Sequence, residues 1–184
     1  MIFRANLDDA KSCIRLLRLA MDDIAYYLSG STDDDECDEI LTRYFLSEKN
    51  RISHKNVYVF KQNSQILGAI CVYFGGELDV LDAQIIKELK DKNVKFELLK
   101  ECESDEFYID SIAVDENFRG QGIAKKLIHH TFDIAKQNGY AKVSLVVDKQ
   151  KLKTREFYES LGFKFNQEKE LYGHKYDHLI KEIV

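Results

Sequence analysis

The sequence predicts an α/β protein whose central mixed sheet is covered by helices on both faces. Apolar residues recur at helical spacing near the amino terminus, and strand-like runs in the middle are followed by βαβ units towards the end. Of the 184 residues, 45% are hydrophobic and 11% aromatic, which suffices for one core in a single domain over residues 1–184. Proline is absent, and no repeat or linker-like tract divides the chain.

Charge and cysteine content narrow the class of protein. Charged residues make up 32% of the chain, both signs are interspersed, and the formal net charge is -5, which argues against nucleic-acid binding. The four cysteines lack metal-site spacing, and most lie in apolar patterns, which indicates a reducing compartment. The chain starts with neither a signal peptide nor a membrane-length apolar segment. We therefore expect a soluble, cytoplasmic protein without a membrane partner.

The amino-terminal half predicts helices and one strand hairpin. From Asn6, apolar residues recur at helical spacing behind an Asn cap and two first-turn aspartates, so an amphipathic helix should end by Gly30. The stretch from Val94 to Asp105 is ambiguous. Between these segments, the patterns predict a helix after the acidic cluster 31–36, antiparallel strands over 57–60 and 66–74, and a helix over 78–91.

The carboxyl-terminal half predicts alternating strands and helices. A β-rich run ends at Val114, and after a short loop the pattern changes to a helical period that continues to Gly139. The predicted elements are a strand over 107–114, a helix from Ile123, a strand over 143–147, a helix over 152–161 closed by Gly162, and strands over 163–165 and 171–183.

The strongest chemical signal is a glycine-containing turn between a strand and a helix. Its residues are Arg119, Gly120, Gln121, Gly122, Ile123 and Ala124. Small residues let a ligand approach the backbone, and the unpaired N–H groups of a first helical turn, with a partial charge of roughly +0.5, bind anions. We expect a pyrophosphate here; the alternative is a tight turn without a ligand. Neither a P-loop nor the third glycine of a dinucleotide fingerprint is present.

Two ordered motifs resemble the GNAT acetyltransferase family. The strand YIDSIAV at 108–114 precedes Arg-x-x-Gly-x-Ala at 119–124, which is similar to that family's acetyl-CoA motif. The segment TREFYESLGF at 154–163 resembles the family's later CoA-side helix, in which a Tyr is followed by Gly-Phe. The resemblance is specific over 107–166 and looser elsewhere. It implies the GNAT acyl-CoA N-acyltransferase fold and transfer of an acetyl group from acetyl-CoA to a primary amine, without a metal.

The resemblance also implies roles for single residues. Backbone groups of Ile112, Ala113 and Val114 would pair with the pantetheine arm as if it were another strand. Backbone N–H groups from Arg119 to Ala124 would hold the pyrophosphate, and Tyr158 would lie near the thioester sulfur. Family members often have Asn where this chain has Lys151. A contact from Lys151 to a CoA phosphate would be its replacement.

Proton transfer requires further groups. A lysine-like amine has a reference pKa near 10.4, so about one molecule in 2,500 is neutral at pH 7, equivalent to roughly 4.6 kcal/mol of barrier. A carboxylate or an ordered water chain should therefore lie near the amine if the acceptor is an alkylamine. Asp110 is the first candidate, because alternation places it on the face of Ile112 and Val114. A solvent-facing or salt-bridged strand residue is the alternative for Asp110, and Glu106 is the reserve candidate.

The leaving group needs a proton donor. The CoA thiolate has a thiol-like pKa near 8.5, so a positioned hydroxyl would assist its departure, and Tyr158 suits that role. The alternative for Tyr158 is aromatic packing in its helix. The acidic cluster 33–39 either attracts a cationic acceptor or forms a solvated helix start. His174 and His178 lie four apart without a carboxylate or Cys to complete a metal site.

Three functions remain open at this point. The first is the acetyltransferase, with an acceptor that the sequence does not identify among protein amino termini, lysines, polyamines, aminoglycosides and amino acids. The second is a non-catalytic acyl-CoA-binding or sensor module, which shares the phosphate turn and has no need for Asp110 or Tyr158. The third is a nucleotide-phosphate protein of another fold. A homodimer through sheet edges is also open.

Overall fold

The computed structural model describes residues 1–95 and 97–183, in which one seven-stranded sheet lies between two helical layers. Across the sheet the strands follow the order β1-β2-β3-β4-β5-β7-β6. Neighbours are antiparallel except β4 and β5, which run parallel, so the predicted mixed sheet is confirmed. The strands are β1 (Ile2–Arg4), β2 (Val57–Gln62), β3 (Gln65–Phe74), β4 (Phe107–Val114), β5 (Lys142–Asp148), β6 (Lys164–Leu171) and β7 (His174–Glu182).

Helices cover both faces of this sheet, as predicted. The helices are α1 (Ala10–Met21), α2 (Ile24–Ser29), α3 (Asp34–Leu46), α4 (Leu78–Asp91), α5 (Ile123–Gln137) and α6 (Leu152–Ser160). The first four pack into one buried cluster that contains Leu17, Phe45 and Cys71. Helices α5 and α6 pack into the cluster on the other face, around Leu127 and Val143. No helix within residues 1–95 or 97–183 has the length and apolar character needed to span a lipid bilayer.

The helix predicted from Asn6 to Gly30 is interrupted. Helix α1 ends at Met21, Asp22 adopts φ 44° and ψ -129°, and α2 starts at Ile24. A positive φ is unusual for an aspartate, so the break is a constrained corner of the chain. The apolar periodicity continues across the corner, which is why the sequence pattern could not reveal it.

Two other predictions differ from the structure in their bounds. Strands β6 and β7 form one hairpin around Tyr172 and Gly173, which have φ values of 53° and 79°. The predicted strands over 163–165 and 171–183 therefore have wrong bounds: residues 167–170 lack apolar alternation yet still pair with β7, and Leu171 ends β6 whereas β7 starts at His174. In the ambiguous stretch, residues 94, 95 and 97–105 form neither helix nor strand, and Phe96 lies outside the described residues.

Strand β4 departs from regular pairing on both sides. Towards β3, Ser111 pairs with Cys71 and Ile109 with Val72, so Asp110 is the extra residue of a β-bulge. Towards β5, pairing is confined to Phe107 and Tyr108. Beyond Tyr108 the parallel strands separate, and the carboxyl half of β4 has a free edge on that side. This opening positions the candidate site.

Candidate active site

A cleft of about 590 Å³ opens where β4 loses its partner. Strand β4, the turn before α5, and helix α6 form its walls. The sequence-predicted cofactor residues that line it are Ile112, Ala113, Val114, Arg119, Gly120, Gly122, Ile123 and Ala124. Gln121 lies in the same turn without lining the cleft, and Lys151 lines a neighbouring cavity. The geometry thus brings together the turn and the strand that the motif joined.

The turn before α5 presents main-chain donors to this cleft. Gly120 and Gly122 have φ values of 77° and 74°, and no atom lies within 4 Å of the position that a Cβ would take at either one. Lys126 N–H donates to the Gly122 carbonyl at 3.0 Å, so the N–H groups of Ile123, Ala124 and Lys125 precede the first intrahelical bond. Helix α5 has 15 residues and directs its positive end at the turn. The cleft therefore fits an anionic diphosphate.

Replacing Gly122 with alanine should weaken CoA binding by about tenfold. The added Cβ would meet no protein atom and would project into the space beside the turn. Calorimetric titration with CoA measures the effect. Gly139→Ala is the matched control, because Gly139 has φ 72° and equally open surroundings at the far end of α5. Equal CoA affinity in the two variants would contradict a diphosphate at Gly122.

A second cavity of about 240 Å³ lies against the same part of β4. It shares Leu19, Ile112, Thr154 and Tyr158 with the cleft, so the two spaces meet at these side chains. Its lining also includes Glu101 and Asp110, which lie on different segments of the chain. Two adjoining spaces therefore lie along β4, with Tyr158 at their junction.

Tyr158 is almost fully buried at this junction, with 8% of its surface exposed. Its ring packs against Phe157 and Phe163, with centroid distances of 5.5 and 5.9 Å. Its hydroxyl forms no hydrogen bond within the described part of the chain, and burial raises its pKa to about 12. The hydroxyl therefore keeps its proton at neutral pH. The aromatic packing expected as the alternative for Tyr158 is therefore present, and it leaves the hydroxyl protonated at the junction of the two spaces.

The Asp110 side chain does not lie on the sheet face that strand alternation predicted. Because of the bulge, its carboxylate accepts a 2.9 Å hydrogen bond from the Tyr73 hydroxyl and lies 3.8 Å from the Arg51 guanidinium. Ile112 instead pairs with Ile70 and packs into the core of the opposite sheet face. The prediction that Asp110 shares a face with Ile112 and Val114 is therefore wrong. Asp110 still lines the second cavity, and burial raises its pKa.

A buried charge cluster surrounds Asp110. Arg51 has no exposed surface and donates to Asp82 from Nε at 2.7 Å and from Nη2 at 2.6 Å. Its Nη1 donates to Glu101 at 3.2 Å, and the Tyr108 hydroxyl donates to Glu101 at 2.8 Å. Three carboxylates thus share one guanidinium. Burial, followed by the charge of Asp110, raises the pKa of Glu101 to about 7.

Sequence reasoning missed both Glu101 and Arg51. Glu101 lies in the segment without helix or strand, and Arg51 lies in a polar loop between α3 and β2. Neither position carries a periodic or motif signal. Only their distance in space, and the burial of two charged groups together, identifies them.

Glu106, the reserve candidate for the base, is a structural carboxylate. It accepts hydrogen bonds from the Ser144 hydroxyl at 2.7 Å and from the Glu103 N–H at 3.0 Å, and His178 Nε2 lies 3.0 Å away. Burial acts to raise its pKa, but these hydrogen bonds lower it to about 2. A carboxylate this acidic accepts protons poorly at neutral pH, and Glu106 lines neither cavity.

The remaining charged candidates lie outside the cleft. Lys151 Nζ donates to Asp22 at 2.7 Å at the edge of the second cavity, away from the turn at 119–124. In the acidic cluster, Asp34 and Asp38 bind Arg18 at 2.8 Å. None of residues 33–39 lines the cleft or the second cavity. Residues 33–39 therefore form the solvated start of a helix, which was one of the two alternatives for this cluster.

Known proteins share this fold and these motifs. Residues 19–163, most of the chain, match the sequence model of the acetyltransferase (GNAT) family. An N-acetyltransferase structure from Staphylococcus aureus Mu50 is 28% identical, with a TM-score of 0.82 over 98% of this chain and 100% of that chain. An acetyltransferase crystal structure is 25% identical, with a TM-score of 0.81 over 100% of both chains.

A curated relative matches locally. N-acetyltransferase 8B from Homo sapiens is 42% identical over 53 residues, which cover 29% of this chain and 23% of that protein. The chain thus spans less than a quarter of that relative's length. Because the family match extends over most of the sequence and the fold agrees over its full length, the chain belongs to the GNAT acetyltransferase family.

Proposed function

We propose that the protein is an N-acetyltransferase that moves an acetyl group from acetyl-CoA to a primary amine by direct attack in a ternary complex. The observation that carries this proposal is the meeting of two spaces at Tyr158: a cleft that fits a diphosphate and a cavity that ends in buried carboxylates. Family membership supports CoA as the donor. The buried, unpaired cysteines support a reducing, cytoplasmic location.

The cleft would hold the donor through main-chain groups. The free edge of β4 at Ile112, Ala113 and Val114 would hydrogen-bond the pantetheine arm, and the N–H groups of the turn from Arg119 to Ala124 would hold the diphosphate. Acetyl-CoA supplies an activated thioester carbonyl. With both reactants in adjoining spaces, the chain contributes mainly orientation.

The carboxylate pair would remove the proton that blocks the amine. An alkylammonium ion entering the second cavity gives one proton to Glu101, whose neighbour Asp110 keeps its proton affinity high. The neutral nitrogen then attacks the carbonyl carbon, the new C–N bond forms, and the C–S bond breaks. Loss of the nitrogen's second proton completes the amide.

Tyr158 would serve the departing sulfur. Its hydroxyl keeps its proton, lies where cleft and cavity meet, and has no hydrogen bond within the described residues. The hydroxyl would donate a hydrogen bond to the departing thiolate, and the nitrogen's second proton would reach that sulfur through the tyrosine or solvent. The products are the N-acetylated amine, CoA thiol and one proton, which Glu101 returns to solvent, so atoms and charge balance.

Tyr158→Phe should lower kcat by roughly tenfold to a hundredfold, because a thiolate leaves well enough to need only modest assistance. The free energy of unfolding should change little, since the lost hydroxyl has no hydrogen-bond partner among residues 1–95 and 97–183. Release of free thiol with a primary amine measures the rate. Tyr140→Phe is the control, because Tyr140 packs on Phe74 and Phe107 outside both spaces. Unchanged turnover in Tyr158→Phe would remove this residue from the mechanism.

A further inference from the structure

The second cavity continues into a neighbouring depression of about 300 Å³. The two share Asp22, Ile24, Asp148 and Tyr176, so they adjoin there; we call the two together the passage, which extends from the buried carboxylates to the exposed Asp22 and Asp23. We call the outer part the acidic mouth and define it by Asp22, Asp23, Asp148 and Tyr176. The mouth lies at the corner where α1 gives way to α2, beside the end of β5.

Negative charge in this passage is only partly neutralised. Asp22 binds Lys151 at 2.7 Å. The Asp148 carboxylate accepts only the Gln150 N–H, at 2.8 Å. The Asp23 side chain does not cap the start of α2. Within the described residues, neither Asp23 nor Asp148 has an ion pair. The lining of the passage combines five carboxylates with two basic side chains, Lys151 and His174, and Arg51, outside the lining, pairs with Glu101 and Asp110 at the buried end.

The negative charges of these carboxylates act together on the Tyr176 hydroxyl. Burial raises the pKa of Tyr176 to about 12, and the next contributions come from the carboxylates at both ends of the passage. These carboxylates are Asp148, Glu101, Asp22 and Asp23. A cation inside the passage would therefore be attracted both at its buried end and at its mouth.

The buried end also offers an unused acceptor. Ser111 is 5% exposed and lines the cavity, and its Oγ has no hydrogen bond of good geometry within residues 1–95 and 97–183, although it lies close enough to Asp110 to help lower the pKa of that carboxylate. Buried polar atoms are nearly always well paired, so this hydroxyl has room for a ligand donor. An ammonium group has three N–H donors, which Ser111 and the two carboxylates could receive.

The shape of the passage limits the acceptor. A volume of about 240 Å³ at the buried end lies below the range of roughly 300–1,000 Å³ that holds drug-sized ligands. Met21, Leu145 and Val147 provide apolar wall between the charged ends. A methylene chain with a nitrogen at each end fits this sequence of charged end, apolar wall and charged mouth.

We propose that the acceptor is a slender alkylamine with a second cationic nitrogen, and that this second nitrogen binds at the acidic mouth while the first is acetylated. This inference rests on the proposed acetyl transfer and names its substrate class. The second nitrogen would lie near Asp23 and Asp148, where it needs to displace no lysine.

The decisive comparison is 1,5-diaminopentane against 1-aminopentane, which have equal chain length and differ in the second charge. With the CoA-bound protein at low salt, the diamine should bind about tenfold more tightly by calorimetry, and the ratio of kcat/KM should favour it similarly. Raising the ionic strength to about 0.5 M should bring the affinities of the two amines closer together, because the mouth is exposed and its charges are screened. Equal binding of the two amines would overturn the proposal.

Variants locate the second nitrogen. In Asp23→Asn/Asp148→Asn, the diamine-to-monoamine ratio should fall towards one. The control Asp8→Asn/Asp133→Asn, at two exposed aspartates outside the passage, makes the same change of charge and should retain the ratio. A ratio that survives in Asp23→Asn/Asp148→Asn would also overturn the proposal. Tight diamine binding without thiol release would instead contradict the proposed acetyl transfer, so the two failures are distinguishable.

Discussion

Glu101→Gln is expected to lower kcat with a primary alkylamine by a factor of about 10² to 10⁴, the usual contribution of a positioned general base. Glutamine has the same shape: its amide oxygen can still accept from Arg51, and its amide N–H can donate to the Tyr108 hydroxyl oxygen in place of the bond that Glu101 accepts, so the cluster keeps its geometry. What it loses is proton affinity. Glu103→Gln is the control in the same segment, since Glu103 is exposed and binds Lys169 on the surface.

The pH profile distinguishes a proton acceptor from a structural carboxylate. In the wild-type protein kcat should rise with pH through about 7, because burial and Asp110 raise the pKa of Glu101 to that value and only the ionised form accepts a proton. Glu101→Gln should lose this dependence. Asp110→Asn should move it to lower pH, because a negative charge beside Glu101 is removed. A wild-type rate and profile in Glu101→Gln would exclude Glu101 as the proton acceptor.

The donor side of the site could be predicted from sequence because its signals are local. A strand followed by a turn with Gly120 and Gly122 and then by a helix specifies its own geometry, since glycine there permits the positive φ that the turn requires. The order of the two motifs along the chain also predicted that the strand over 107–114 and the helix over 152–161 lie on the same cleft. Eight of the predicted cofactor residues accordingly line one cleft.

The acceptor side could not be predicted because its geometry depends on departures from regularity. The bulge at Asp110 reverses the alternation on which its orientation was inferred, and the corner at Asp22 interrupts a helix whose apolar period continues. Arg51 and Glu101 are 50 positions apart and meet only in the folded protein. Period and motif describe neighbours along the chain, whereas this cavity is made of contacts between distant segments.

The two buried glutamates make opposite contributions to stability. Glu106 has a folded pKa of about 2, below its ordinary value of 4.5, so its stabilisation is present above pH 4.5 and is lost as the pH falls towards 2. Glu101 has a folded pKa of about 7, so the folded state holds more protons than the unfolded state between pH 4.5 and 7. Stability from Glu101 therefore falls as the pH rises through that interval. Ionised Glu106 therefore stabilises the folded state, whereas ionised Glu101 destabilises it.

The Arg51 guanidinium offsets the unfavourable burial of the Glu101 carboxylate. Arg51→Met should therefore lower the free energy of unfolding by about 3–5 kcal/mol. The substitution preserves side-chain volume but leaves Asp82, Glu101 and Asp110 buried without their shared cation. Urea unfolding measures the loss, which should be larger at pH 8 than at pH 6. Protonation relieves the repulsion at the lower pH, since removing the guanidinium raises the carboxylates' pKa values further.

An exposed arginine provides the matched comparison for this loss. Arg43 also binds one carboxylate with two hydrogen bonds, to Glu88 at 2.9 and 2.7 Å, but its side chain is 52% exposed. Water replaces such a partner readily, so Arg43→Met should cost at most about 1 kcal/mol and show no comparable dependence between pH 6 and pH 8. Equal losses in the two variants would mean that the carboxylates around Arg51 are already neutral. Glu101 could not then be the group that takes a proton from the amine.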